Sequence, residues 1–194
     1  MFDFLKRGVA PVLALAVVLL LGSVPARAVV IDFDDLAGAG FVPDGYEGIT
    51  WNGQWLFYGA ADGDYFAPHS AANRIFPTGN APSGSFDFLS DVIFDGAWFN
   101  GFGESGPIFF ELFLDGSLVH TSASLLLPMS AFSNNTEFLS SGYAGLVDQV
   151  TVRSTADYWI MDDVTYSVPE PASAALLLGG LLGAAVLRRR SRRP

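Results

Sequence analysis

The residues of this sequence best suited to chemistry are its aspartates and glutamates, because they are numerous and few basic residues are present to neutralise them. The segment from Val29 to Val168 holds 18 acidic residues against two basic ones and no lysine, a net charge of −16. Carboxylate oxygens are the ligands that calcium prefers, and paired carboxylates are the groups that most glycosidases use. Nucleic-acid binding needs Lys and Arg side chains on phosphates, so this composition argues against a nucleic-acid partner.

One of these carboxylates, Asp162, lies in a segment that alternates like a β-strand. It is in phase with Ile160 and Val164, so it is carried inward if that face packs against a core. A buried charge is costly and would then need a metal ion or several backbone N–H donors. If instead the face of Trp159 and Met161 is the buried one, Asp162 is simply solvated.

The acidic segment as a whole predicts strands and turns. Gly and Pro recur, aromatic and β-branched residues are abundant, and no stretch keeps a 3.6-residue apolar period. The clearest signal is a hairpin, in which the alternating run Ile108 to Leu114 is followed by the turn pair Asp115-Gly116. Further strands are predicted at Val29–Phe33, Ile49–Trp51, Trp55–Tyr58, Asp91–Phe99, Leu146–Arg153 and Asp157–Tyr166, whereas Ser122–Thr136 is predicted to be a loop or a short helix. Many short strands without helices predict an all-β antiparallel sandwich of the jelly-roll kind.

Three tryptophans, Trp51, Trp55 and Trp98, are candidates for stacking on sugar rings. In a small sandwich, aromatic side chains also form the core, and both interpretations stay open for each of them. No Ser/His/Asp pattern with a recognisable local context is present, and no carboxylate pair can be singled out among 18 acids. We therefore expect a protein without catalytic activity. The absence of cysteine excludes disulfides and thiolate metal sites.

The N-terminal end of the chain predicts a signal peptide. A short positive region precedes the apolar run Val9 to Leu21, and Ala26-Arg27-Ala28 has the small-x-small pattern that signal peptidase cuts. Residues 1–28 are therefore expected to be removed, so that the mature chain begins at Val29.

The C-terminal end predicts a transmembrane helix. Ala172 to Leu187 is a run of sixteen uncharged residues, which as a helix would be about 24 Å long. A cluster of arginines follows the run, and such residues stay on the cytoplasmic side, so the acidic segment is expected on the far side of the membrane. These membrane-orienting residues are Arg188, Arg189, Arg190, Arg192 and Arg193.

The triplet Pro169, Glu170 and Pro171 stands directly before this span. The order Pro-Glu-Pro, apolar span, arginine cluster resembles the PEP-CTERM sorting signal of Gram-negative bacterial surface proteins. The resemblance implies processing at the triplet by an exosortase, a membrane enzyme similar to cysteine peptidases. It also implies an exported protein of the cell envelope, cell surface or extracellular matrix, in bacteria that make extracellular polysaccharide and biofilm. The expected domains are thus 1–28 signal peptide, 29–168 acidic ectodomain and 169–194 sorting signal.

Two stretches of the ectodomain carry weaker resemblances. Ile31 to Leu36 is similar to the opening of many PEP-CTERM ectodomains, and Tyr158 to Val164 resembles the last strand of galactose-binding-like jelly rolls, which include carbohydrate-binding modules. The second resemblance implies a structural calcium ion shared by Asp34 and Asp162. Asp34 stands where those families usually have Glu, which shortens the reach of the ligand.

Three classes of function follow from these features. The expected one is an exported, non-catalytic protein with a structural or adhesive role in the envelope or polysaccharide matrix, with signal peptidase and exosortase as its processing partners. The alternative is a calcium-dependent carbohydrate-binding module, which predicts saturable sugar binding lost on mutating an exposed Trp. The third is an enzyme acting on matrix glycans, which predicts turnover that depends on a carboxylate pair.

Overall fold

The computed structural model describes residues 27–59, 67–70, 72–102, 106–127, 135–156 and 158–169, together with Gly180. Ala28–Val168 forms one compact unit. The predicted signal peptide and C-terminal span lie outside the described residues, except for Arg27 and Ala28 at the end of the first and Gly180 within the second. Within the described part of the chain, no helix is long and apolar enough to cross a membrane.

The compact unit is built from β-strands, and every strand pair with a recorded register is antiparallel, which confirms the all-β antiparallel prediction. The helical residues that the structure describes in this unit are two single 3-10 turns, Tyr46–Gly48 and Thr78–Asn80. The strands are β1 (Arg27–Ile31), β2 (Ala39–Phe41), β3 (Ile49–Thr50), β4 (Trp55–Gly59), β5 (Asn73–Pro77), β6 (Ser83–Phe102), β7 (Pro107–Leu114), β8 (Ser117–Thr121), β9 (Leu125–Leu126), β10 (Glu137–Ser140), β11 (Val147–Ser154) and β12 (Tyr158–Val168).

The long strand β6 joins two sheets. Its second half pairs with β12 and β10 in sheet A, whose order is β2-β4-β5-β12-β6-β10, with β1 also paired to β12. Its first half pairs with β3 and β11 in sheet B, whose order is β3-β6-β11-β7, with β8 and β9 following each other along the outer edge of β7. The result is a sandwich-like arrangement in which one strand belongs to both layers.

Aromatic side chains fill the core between the sheets. Trp51 and Trp55 have no exposed surface, and their rings meet edge to face at 6.2 Å between centroids. The Trp55 indole N–H donates to the carbonyl of Ser85 at 2.8 Å, so its polar atom is also satisfied inside the protein. Of the two interpretations left open for Trp51 and Trp55, the structure places both rings in the core, and neither has a face open to solvent for stacking on a ligand.

The predicted hairpin is confirmed at Asp115-Gly116, which joins β7 to β8. Both turn residues have positive φ, 50° and 72°, as a two-residue turn between twisted strands requires. The predicted strand Asp91–Phe99 is only the middle of β6, whose first residues include Gly84 and two serines and look like a turn in the sequence. Part of Ser122–Thr136 forms the short strand β9, and residues 128–134 of it lie outside the described residues.

Candidate functional site

Of the two predicted calcium ligands, Asp162 contacts the segment 67–70 through Ser70, and Asp34 contacts Asn73 at the start of β5, shortly after that segment. Asp34 follows β1, and Asp162 lies in the middle of β12, opposite Trp98 of β6. Neighbouring Met161 packs in the core, so Asp162 points to the other face of sheet A. Asp162 is nevertheless wholly buried, because Ser70 packs against it from outside the sheet.

A β-bulge explains why neither alternative for the inward face of β12 holds along the whole strand. The register of β12 against β6 shifts between Asp162 and Thr165, and Asp163 within the shift has φ of 45°. The bulge changes the phase of the strand, so Trp159 and Met161 face the core before it and Val164 faces the core after it. Of the two alternatives for β12, the core face before the bulge is that of Trp159 and Met161, yet Asp162 is buried and not solvated.

Three donors satisfy the Asp162 carboxylate. Ser70 donates its backbone N–H and its hydroxyl to Oδ2 at 2.9 and 3.2 Å, and Asp163 donates its backbone N–H to Oδ1 at 2.8 Å. Burial raises the pKa of Asp162 to about 7, and the nearby charge of Asp163 adds to this, while the Ser70 and Asp163 N–H groups oppose it. Backbone donors are one of the two solutions expected for a buried carboxylate, and Ser70 and Asp163 supply them.

His69 extends this group of polar residues toward solvent. We call Asp34, His69, Ser70, Asn73, Asp162 and Asp163 together the polar cluster. Its Nδ1 lies 2.5 Å from Oδ2 of Asp163, and its ring stacks on Trp98 with centroids 3.6 Å apart and planes 10° apart. Trp98, the third predicted stacking residue, is half-buried, and one face of its indole is covered by His69. Its other neighbour is the tilted ring of Phe138, 5.6 Å away.

Asp34 is held by the strand that follows the segment 67–70. Its Oδ1 accepts the backbone N–H of Asn73 at 2.9 Å, and the Asn73 side chain donates to the carbonyls of Phe33 and Leu36, both at 2.7 Å. The pKa of Asp34 is raised, mainly by burial and also by the charges of Asp32 and Asp163, whereas the Asn73 N–H lowers it. The turn after β1 is thus tied to β5 through one asparagine.

Three of the six described non-glycine residues with positive φ lie next to these residues. Phe33, Ala72 and Asp163 have φ values of 60°, 90° and 45°, in a backbone region that residues other than glycine rarely adopt. Each such residue costs on the order of 1–3 kcal/mol and persists only where its surroundings enforce it. Here the Asn73 and Asp162 hydrogen bonds lie beside all three positions, which is consistent with these bonds maintaining the strained turns.

The predicted calcium ion has suitable ligand types here but no assembled set of ligands. The carboxylates are hard oxygen donors of the kind that calcium binds. Among the residues that the structure describes, however, no three His, Asp or Glu side chains are grouped so that they could hold a metal ion. Asp162 already accepts hydrogen bonds on both of its carboxylate oxygens, and Asp34 accepts the Asn73 N–H on Oδ1. Calcium binding stays a prediction.

The cluster has one feature that resembles a catalytic arrangement, the pairing of His69 with Asp163. A carboxylate of this kind orients an imidazole for general-base chemistry when a nucleophile lies on the other ring nitrogen. The neighbouring hydroxyl, that of Ser70, donates to Asp162 instead. The described contacts of the cluster join separate segments of the chain by hydrogen bonds.

Sequence reasoning missed the residues that complete this cluster. His69, Ser70 and Asn73 lie about 90 residues before Asp162, and no local pattern links them to it. The sorting residues Glu170 and Pro171 and the terminal arginines lie outside the described residues, and Pro169 directly follows β12.

Comparisons of the whole chain with protein-family models, with curated proteins and with solved structures gave no match.

Proposed function

We propose that this chain is an exported surface or matrix protein of a Gram-negative bacterium, sorted through Pro169, Glu170 and Pro171, and that its acidic β-unit has a structural or adhesive, non-catalytic role. In this proposal the unit is a jelly-roll-like sandwich that follows a signal peptide and precedes a transmembrane helix. Signal peptidase and exosortase are its processing partners, and the mature protein lies among extracellular polysaccharide.

The observation that carries the proposal is where the compact unit begins and ends. It runs from Ala28 to Val168. Ala28 is the last residue of the predicted signal-peptidase motif, and Val168 is the residue before the Pro-Glu-Pro triplet. Processing at both places would remove from the strands only Arg27 and Ala28, two exposed residues at the start of β1. A fold whose limits coincide with two independent processing motifs is what a sorted ectodomain requires.

The polar cluster supports a non-catalytic role for this unit. Asp162 and Asp34 accept hydrogen bonds from Ser70 and Asn73, which belong to distant segments, so both carboxylates link parts of the fold. A calcium ion shared by Asp34 and Asp162 is a second, separate proposal. It is favoured by the charges of Asp32, Asp35 and Asp163 around Asp34, which a divalent cation would neutralise.

The sorting proposal is tested by replacing Pro169, Glu170 and Pro171 with alanine in a host that carries an exosortase. We expect the intact mass of the wild-type product to correspond to a chain without the signal peptide and without the C-terminal sorting signal. The triple variant should stay in the membrane fraction with residues 169–194 still attached. A matched control is Pro82→Ala, an exposed proline in a loop, which should be processed like the wild type. Equal product masses for the wild type and the triple variant would overturn the proposal.

A further inference from the structure

A second polar surface lies on sheet B, on the face turned away from the core. In β6, β11 and β7 alternate side chains such as Phe86, Val150 and Leu112 are buried, and the residues between them face outward. The strand register arranges the outward residues in three rows across the strands. The rows are Asp87, Gln149 and Phe113; Ser85, Thr151 and Glu111; and Ser83, Arg153 and Phe109. We call these nine residues the outer face of sheet B.

The first row opens into a cleft. The cleft has a volume of about 200 Å³ and is lined by Asp87, Phe88, Gly116, Asp148 and Gln149. Gly116 belongs to the β7–β8 turn, and nothing lies within 4 Å of the place where a β-carbon would stand, so the turn leaves this side open. The two carboxylates and the amide of the lining are half-buried and accessible from solvent.

The carboxylates of the cleft are held in place by the protein itself. Asp87 accepts the side-chain amides of Asn52 and Gln149 on its two oxygens, at 2.7 and 2.6 Å. Asp148 accepts the backbone N–H of Asp115 at 2.8 Å. Each carboxylate oxygen can accept a further hydrogen bond. The cleft therefore presents fixed acceptors, and a ligand that donates several hydrogen bonds would bind without first ordering them.

Charge on this surface restricts the class of ligand. None of the residues lining the cleft is basic. Arg153, the one cation of the outer face, lies two rows away from Asp87, and its Nε is 2.6 Å from a Glu111 carboxylate oxygen. An anionic ligand such as a phosphate or a uronic acid would meet two carboxylates with no compensating charge, which is unfavourable. An uncharged ligand with several hydroxyl donors does not meet this penalty.

Aromatic rings extend the surface beyond the cleft. Phe113 lies beside Gln149 in the first row, and Phe109 lies four residues earlier on β7, which is about 14 Å along a strand. Both rings are half-buried, so part of each faces solvent. Flat apolar rings next to hydrogen-bond acceptors match a ligand that has hydroxyl groups on its edges and C–H groups on its faces.

We propose that the outer face of sheet B binds an uncharged polysaccharide, with one sugar unit in the cleft against Asp87 and Asp148 and the chain continuing past Phe113 toward Phe109. The proposal rests on the adhesive part of the proposed function and specifies its ligand. It does not depend on processing of the tail, so binding by the purified chain can fail while sorting succeeds, and sorting can fail while binding succeeds.

The test is native affinity electrophoresis of the full chain in a detergent without sugar headgroups. The probes are four uncharged polysaccharides in the gel, a mixed-linkage β-glucan, a xylan, a galactomannan and a dextran, with alginate as the anionic comparison. We expect retardation by at least one uncharged polysaccharide, unchanged by added salt, and none by alginate. Migration unaffected by all four uncharged probes would overturn the proposal, and so would retardation that salt abolishes.

Variants locate the binding surface. Phe113→Ser and Gln149→Ala should each weaken the interaction roughly tenfold, as expected for one lost ring contact or hydrogen bond with the ligand. Phe41→Ser removes a ring that is 58% exposed on sheet A, and it should bind like the wild type. Gln149→Ala keeps the test decisive if Phe113→Ser does not fold. Wild-type binding by both outer-face variants, or equal loss in Phe41→Ser, would contradict the assignment to sheet B.

Discussion

Ser70 donates both its backbone N–H and its hydroxyl to the same oxygen of Asp162, across 92 residues of sequence. The pair joins the segment 67–70 to the bulge of β12 and leaves Asp162 without exposed surface. The two hydrogen bonds of Ser70 meet one carboxylate oxygen, so they hold the segment 67–70 against β12 at that point. This relationship makes Asp162 an acceptor within the fold and determines what its mutation or titration should do.

Removing the hydroxyl of Ser70 should destabilise the chain while leaving its fold intact. Ser70→Ala keeps the backbone N–H bond and loses one hydrogen bond to a carboxylate, so we expect a loss of about 1–2 kcal/mol in the free energy of unfolding. Chemical denaturation followed by tryptophan fluorescence measures this change, since Trp51 and Trp55 are in the core. Ser90→Ala, at an exposed position of β6, is the matched control and should change little. Equal effects of the two substitutions would show that the Ser70 hydroxyl contributes nothing.

Stability should fall as the pH rises from about 4 to about 7. The pKa of Asp162 is raised from an ordinary value of 3.8 to about 7, so folding favours its protonated form. The resulting stabilisation is complete below pH 3.8 and is lost as the pH passes through 7. The pKa of Asp34 is raised as well and acts in the same direction.

Thermal melts between pH 4 and 8 measure this dependence. Asp162→Asn should flatten it, because the substituted side chain does not titrate. Asp91→Asn, at an exposed carboxylate on β6, should keep the slope of the wild type. A melting temperature that rises with pH through this range in the wild type would contradict the assignment of a buried, partly protonated Asp162.

The calcium proposal predicts that calcium raises the melting temperature in a concentration-dependent way. An ion that binds only the folded state stabilises it by RT ln(1 + [L]/Kd), about 2.7 kcal/mol at a hundredfold excess over Kd. The increase should disappear with chelator and in both Asp34→Ala and Asp162→Ala, and it should persist in Asp91→Ala. If sodium chloride of matched ionic strength has the same effect as calcium, the cluster is held by hydrogen bonds alone and the resemblance to calcium-binding jelly rolls loses its support.

Local pattern in the sequence was sufficient for several elements of the fold. Alternation from Ile108 to Leu114 followed by Asp115-Gly116 predicts the β7–β8 hairpin, because a strand repeats every two residues and this turn needs positive φ at both positions. Composition likewise determined the all-β class and the acidic character of the unit. These properties depend on neighbouring residues or on simple counts, so no tertiary information is needed.

Only the tertiary structure decided where the polar and aromatic side chains are used. Trp51 and Trp55 are core residues, whereas Trp98 is half-buried, although all three lie in or next to segments with a strand pattern. Alternation tells which side chains share a face of a strand, but not which distant segment covers that face or where a bulge reverses the phase. Asp162 is buried because Ser70 reaches it from another part of the chain, and Asp87 meets Gln149 only through the register of β6 and β11. Such contacts follow from how the chain closes on itself, which local periodicity does not encode.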